Sequence, residues 1–160
     1  MNSIGNLRFG LQQLAGTGAK NVLLSNLPNL GSTPEAVFGG TSLISTDATN
    51  QFNALLPGPM SFGSGLGLNM FMLDMAGIPT SGFTNTTMPC GAFPGSLGAS
   101  CATSLFSDAL HPTSAAHGLI AAAAVTAVTA VPEPQTVALM LAGLLLVGGL
   151  ARRRAAAAAT

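Results

Sequence analysis

Charged side chains are nearly missing from this sequence: 6% of 160 residues, against about a quarter in ordinary soluble domains. Ahead of Val131 the cations are Arg8 and Lys20, set against Glu35, Asp47, Asp74 and Asp108. A surface that tracks phosphates needs clustered lysine and arginine, so nucleic acid is excluded as a partner. Cysteine is as sparse. Cys90 and Cys101 make up the full complement of two, and they form no Cys-x-x-Cys pair of the kind that holds zinc or runs dithiol exchange. No metal or cofactor is implied. The two are either buried free thiols or a disulfide closing a short, turn-rich loop. Export would favour the disulfide, because oxidising compartments preserve it. No internal repeat is evident. Met1 to Gly10 has neither the apolar segment nor the cleavage site of a signal peptide.

What is present is room for one ordinary domain, rich in Gly, Ser, Thr, Asn and Ala over residues 1–130, followed by a very different tail. Val131-Pro132-Glu133-Pro134 is stiff and extended, since each proline fixes its own φ and disfavours helix in the residue before it. From Thr136 to Ala151 every residue is apolar, small or glycine, and Arg152, Arg153 and Arg154 follow at once. The run is short for a membrane span, which needs about 20 residues, but Gln135 and snorkelling arginines can lengthen it. The expectation is a C-terminal transmembrane helix over 136–151. The arginines then stay cytoplasmic, which places everything before Pro132 across the inner membrane. A core helix is the plainer reading, but a triple arginine abutting it is hard to bury. Residues 155–160 form a low-complexity tail.

The ordered triplet of Pro-Glu-Pro, apolar span and arginine cluster resembles the PEP-CTERM sorting signal of Gram-negative bacteria. That resemblance, over Val131 to about Arg154, implies recognition by an exosortase-type membrane protease and cleavage near Pro132-Glu133-Pro134. It also implies an envelope or extracellular destination.

In the body, apolar Leu7, Leu11 and Leu14 predict a short amphipathic helix, ended at Gly16-Thr17-Gly18. Asn21 to Leu27 reads as a buried parallel-type strand, and Pro28 to Pro34 as a loop. Asp47 is placed to cap a helix running to about Leu56, with Phe52, Leu55 and Leu56 inward. Pro57 to Gly67 is rich in Gly, Pro and Ser and reads as loop. Met70 to Met75 is a second strand, its methionines core filler. A long loop carries Gly82-Phe83-Thr84-Asn85 and both cysteines. A final helix runs from His111 to about Val128 with Pro112 in its first turn. The rhythm is that of a doubly wound α/β sheet, yet two strands are few for a parallel sheet covered on both faces.

The motif that carries chemistry is Phe106-Ser107-Asp108-Ala109-Leu110-His111-Pro112-Thr113. Asp and His three apart meet on one side of a helical turn. A carboxylate beside an imidazole fixes its tautomer and stabilises the imidazolium formed when histidine takes a proton from a serine. His117 reads as an exposed helix residue, and Ser25, Ser32 and Ser107 as turn formers.

Further landmarks precede the motif: Leu27-Pro28-Asn29-Leu30-Gly31-Ser32-Thr33-Pro34, then Asn53, Asp74, Gly82-Phe83, Asn85, Cys90 and Cys101. With it they form an ordered series that resembles the second half of the GDSL (SGNH) esterase/lipase family, lecithinase-haemolysin branch, over about Leu7 to Ala124. The resemblance implies part of a flavodoxin-like α/β/α sandwich, with His111 as general base and Asp108 as its orienting partner. It implies an ester substrate, either a lipid or an acylated polysaccharide. The family's Gly-Asp-Ser nucleophile segment and its Gly-x-Asn-Asp oxyanion segment do not occur here, so the chain alone is expected to be inactive. The missing signal peptide and the missing strands both fall before Met1, which suggests a truncated product or a fragment. The alternative is a non-catalytic envelope or matrix protein that uses the sorting tail alone.

Overall fold

The computed structural model describes residues 3–90, 99–129 and 134–157. The chain divides into two units, Met1–Val128 and Thr129–Thr160. The first is mixed α/β. Its elements are α1 (Ser3–Gly16), β1 (Asn21–Ser25), a 3-10 turn (Leu30–Ser32), α2 (Pro34–Phe38), α3 (Ser42–Leu55), α4 (Pro57–Gly65), β2 (Asn69–Leu73) and α5 (Ser114–Thr129). The strands pair in parallel, Asn21 against Asn69 through Ser25 against Leu73. Parallel neighbours require a crossover, and here the stretch from the 3-10 turn to α4 supplies it.

The Leu27–Pro34 segment positions that crossover, and several of its residues have a local task. Gly31 lies against α3, where a Cβ would run into Thr46 Oγ1 and the Ser42 carbonyl. Asn29 Oδ1 accepts from Gly31 N–H and from Thr46 Oγ1, both at 2.9 Å. Thr33 caps α2 by accepting from Ala36 N–H at 3.3 Å, and Pro34 takes the first turn, where no N–H is needed. Asn53 of α3 holds both backbone groups of Leu27: its Oδ1 accepts from the N–H at 2.9 Å and its Nδ2 donates to the carbonyl at 2.8 Å.

The C-terminal ends of the two strands are tied together. Asn26 Nδ2 donates to Asp74 Oδ1 at 2.6 Å, and Asn26 Oδ1 accepts from Ala76 N–H at 3.1 Å. In open parallel sheets this is the edge at which ligand sites form. Among the described residues the buried apolar set is small and includes Leu11, Leu56, Leu68, Leu73, Phe106 and Ala116.

Several expectations are corrected. Pro57 to Gly67 is not loop: α4 occupies most of it, because Pro57 and Pro59 fall in the first turn, where a missing N–H costs nothing. Asp47 caps nothing. The helix begins at Ser42 and Asp47 is exposed within it. Leu56 is buried as expected, whereas Leu55 points outward and Phe52 is half-buried. The last helix of the first unit begins at Ser114, after His111 and Pro112.

In the second unit α6 spans Pro134–Ala157. Among the described residues no helix is long and apolar enough to cross a membrane, which corrects the transmembrane expectation for 136–151. The physical reason is length: the charge-free run stops at Arg152, short of the about 20 residues a span requires. Pro132 and Glu133 of the predicted sorting signal lie outside the described residues. Pro134 opens α6, and Arg152, Arg153 and Arg154 fall within it, Arg152 exposed.

Candidate functional site

Asp108 and His111 sit on a loop, not on a helix, and the loop is what brings them together. Asp108 Oδ1 accepts from the N–H groups of Leu110 at 2.8 Å and His111 at 2.7 Å, closing a tight turn on its own side chain. That leaves Oδ2 aimed at the imidazole, 2.8 Å from Nδ1. One carboxylate therefore folds the turn with one oxygen and orients the histidine with the other. The His111 N–H is the largest influence on this carboxyl, followed by the Leu110 N–H and then the imidazole. Together they lower its pKa from 3.8 to about 2. Both side chains are exposed, His111 to 71% and Asp108 to 55%.

The turn is braced from below. Ser107 N–H donates to the His111 carbonyl at 2.8 Å and its hydroxyl to the same oxygen at 3.0 Å. Phe106 and Pro112 form an isolated antiparallel bridge. Thr113 N–H donates to Leu105, and its hydroxyl donates to the Ser104 carbonyl at 2.8 Å while capping α5 through Ala116 N–H at 3.3 Å. Glu35 N–H of α2 donates to the Ala109 carbonyl at 2.9 Å, joining the turn to the crossover.

A second brace comes from Asn85. Its Nδ2 donates to the Met88 carbonyl at 2.7 Å and to Ser104 Oγ at 2.8 Å, and its Oδ1 accepts from Met88 N–H at 2.9 Å. Ser104 is wholly buried. Cys90 and Cys101 are joined, with Cα atoms 5.0 Å apart, and Cys90 N–H donates to the Phe106 carbonyl at 3.0 Å. Sequence reasoning placed Asn85 among the landmarks and Thr113 at the end of the motif but gave neither a task, and it missed Ser104. A threonine directly before the helix that starts at Ser114 is the N-cap signal that could have given Thr113 its task.

Beside the turn lies a cavity of about 350 Å³. Leu110 and Pro112, the two neighbours of His111, line it together with Leu30, Ile78, Phe83 and Leu119 among others. Its walls are overwhelmingly apolar, a common composition for small-molecule pockets.

Chemically, an imidazole held at Nδ1 by a carboxylate presents Nε2 as a proton acceptor. Among the described residues no serine or threonine hydroxyl hydrogen-bonds that imidazole. Ser107 is tied to the backbone, and Ser25 and Ser32 lie at a strand end and in the 3-10 turn. His117 is exposed on α5. Among the described residues no group of three or more His, Cys, Asp or Glu is placed to hold a metal ion.

The comparisons with known proteins bear on the other unit. Residues 130–155 match the family model of the PEP-CTERM protein-sorting motif. No curated protein matches the chain. The family match stops short of residues 3–129 and leaves their chemistry to the geometry above. For the C-terminal segment it implies export, sorting to the cell envelope and recognition by exosortase.

Proposed function

We propose that this is an exported, envelope-sorted protein whose first unit carries the base and orienting carboxylate of a serine-type ester hydrolase. The observation that carries the reading is the 2.8 Å contact between Asp108 Oδ2 and His111 Nδ1 on a turn braced from both sides. His111 is the general base: with Nδ1–H held by Asp108, its Nε2 takes the proton from an attacking hydroxyl and returns it to the leaving group. Asp108 stabilises the imidazolium in between. The substrate is an ester of a lipid or of an acylated polysaccharide, as the resemblance to GDSL esterases implies. In the same reading an exosortase cuts near Pro132-Glu133-Pro134, releasing the first unit to the envelope or beyond.

A second reading has its own support. No described hydroxyl contacts the imidazole, which favours a non-catalytic envelope protein that keeps the sorting tail. Hydrolysis of an aryl acetate separates the two. The chain alone is expected to match buffer. Preceded by the nucleophile and oxyanion segments of a GDSL esterase, it is expected to turn over, and His111→Ala is expected to cost about 10³-fold or more. Asp108→Ala is expected to cost less, because it orients the base and transfers no proton. An active form indifferent to His111→Ala contradicts the assignment.

A further inference from the structure

The apolar cavity of about 350 Å³ beside the His111 turn is walled by residues 28–33, 75–83 and 105–120, and no residue of α1 or β1 lines it. The three wall segments are fastened to one another. Glu35 N–H, in the helix that Thr33 caps, donates to the Ala109 carbonyl at 2.9 Å. Ala76 N–H donates to Asn26 Oδ1 at 3.1 Å. Leu105 N–H donates to the carbonyl of Asn85, two residues past Phe83, at 2.8 Å. Leu110 and Pro112, on either side of His111, belong to the wall, whereas His111 is 71% exposed. The proposed base therefore stands at the rim.

The lining chooses the chemistry of the occupant. Among the described residues no charged side chain lines the cavity, and its polar members are Asn29, Thr33 and Thr80. Two of these serve the fold. Asn29 Oδ1 accepts from Gly31 N–H and Thr46 Oγ1, and the Thr33 hydroxyl donates to the Leu30 carbonyl at 2.7 Å. A sugar placed here would set most of its hydroxyls against apolar walls without partners, which is costly. An acetyl group would leave most of the volume unfilled. An alkyl chain meets neither penalty. An apolar cavity of about 150 Å³ holds a six-carbon ring, so this one, partly open, holds a chain on the order of ten carbons.

We propose that this cavity is the alkyl-chain site of a lipid ester. A straight chain on the order of ten carbons lies against Ile78, Phe83 and Leu119, with the ester group at the rim beside His111. The proposal rests on the reading of His111 as the base of an ester hydrolase, and of the two substrate classes given there it selects the lipid.

The test titrates the full disulfide-bonded chain, in detergent-free buffer, with straight-chain 1-alkanols from butanol to dodecanol, read at the Ile78 methyl resonances. Affinity is expected to rise about threefold per methylene and to level off on the order of ten carbons. Leu119→Trp fills the cavity and is expected to weaken decanol binding about tenfold or more, the share of the methylenes it displaces. Phe83→Ala enlarges the cavity and is expected to move the levelling-off to longer chains, a gain that a misfolded chain does not show. Affinity that ignores chain length overturns the proposal, and so does decanol binding untouched by both variants. Binding needs no turnover, so it is scored apart from the esterase reading. Length-dependent binding keeps the alkyl site and removes the esterase if the form preceded by nucleophile and oxyanion segments never hydrolyses an aryl acetate. Where that form is active, methyl decanoate against methyl butyrate, and decyl acetate against butyl acetate, shows which side of the ester carries the chain. No preference in either pair overturns the proposal.

Discussion

Asn85→Ala is the substitution with the most to say about how the Asp108–His111 turn is held. Asn85 makes three strong side-chain bonds: to the Met88 carbonyl at 2.7 Å, to Ser104 Oγ at 2.8 Å and from Met88 N–H at 2.9 Å. Each contributes roughly 1 kcal/mol net, and leaving wholly buried Ser104 without its donor adds to the loss. The expected destabilisation is about 3 kcal/mol, a large share of the about 5–15 kcal/mol a domain possesses. For a unit of this size that lowers Tm by about 10 °C. Asn85→Asp keeps the acceptor for Met88 N–H and loses both donations, so it should cost somewhat less. The assay is a thermal melt followed at 222 nm, run with Ser104→Ala and the double variant as a cycle. Asn85 and Ser104 share a bond, so their effects should fail to add by about 1 kcal/mol. The reasoning is refuted if Asn85→Ala melts within a degree or two of wild type, or if the two substitutions are strictly additive.

Other predictions concern the loop, the carboxylate and the tail. Cys90 and Cys101, separated by 11 positions, should be joined in exported material, and their reduction should lower stability by about 3 kcal/mol on the chain-entropy estimate. Mass spectrometry that finds both alkylated without prior reduction contradicts this. The Asp108 carboxyl, lowered from 3.8 to about 2, stabilises the turn in its ionised form. That contribution is complete above the ordinary value and is lost as pH falls through the folded one. A carbon-13 titration should show its midpoint near 2, and a midpoint at 3.8 would mean the turn bonds are not made in solution. Deleting Arg152 to Arg154, which fall inside the matched sorting motif, should abolish processing, and a truncated chain still cleaved and surface-located would refute that.

The α/β class, both strands and the landmark order were legible in the sequence because apolar runs flanked by glycine and proline mark strands with little ambiguity. The first strand was read as Asn21 to Leu27 and ends at Ser25, the second as Met70 to Met75 and runs from Asn69 to Leu73. What escaped had physical causes. Pro57 to Gly65 carries two prolines and three glycines, a composition that favours loops, yet both prolines fall where a helix tolerates them. Asp47 has the chemistry of a cap but sits inside the helix that starts at Ser42, whose first turns lie close against Gly31. At the site, spacing brought Asp108 and His111 to notice, but helical spacing was the wrong geometry. An aspartate that accepts from the backbone two and three residues ahead makes a turn. The bracing by Asn85 and Ser104 spans nineteen positions, and no local pattern announces a contact of that range. The tail was legible in its motif and in its shortness; what failed was the expectation that Gln135 and snorkelling arginines would make up the length.

The central claim is that Asp108 holds His111 with Nδ1 protonated and Nε2 bare, ready to take a proton. Nitrogen-15 chemical shifts of the His111 ring, followed through neutral pH in wild type and Asp108→Ala, test it directly. The account predicts a single neutral form in wild type with the proton on Nδ1, and a shift toward the Nε2–H form on Asp108→Ala. A wild-type ring that already carries its neutral proton on Nε2, or that is unchanged by Asp108→Ala, contradicts it.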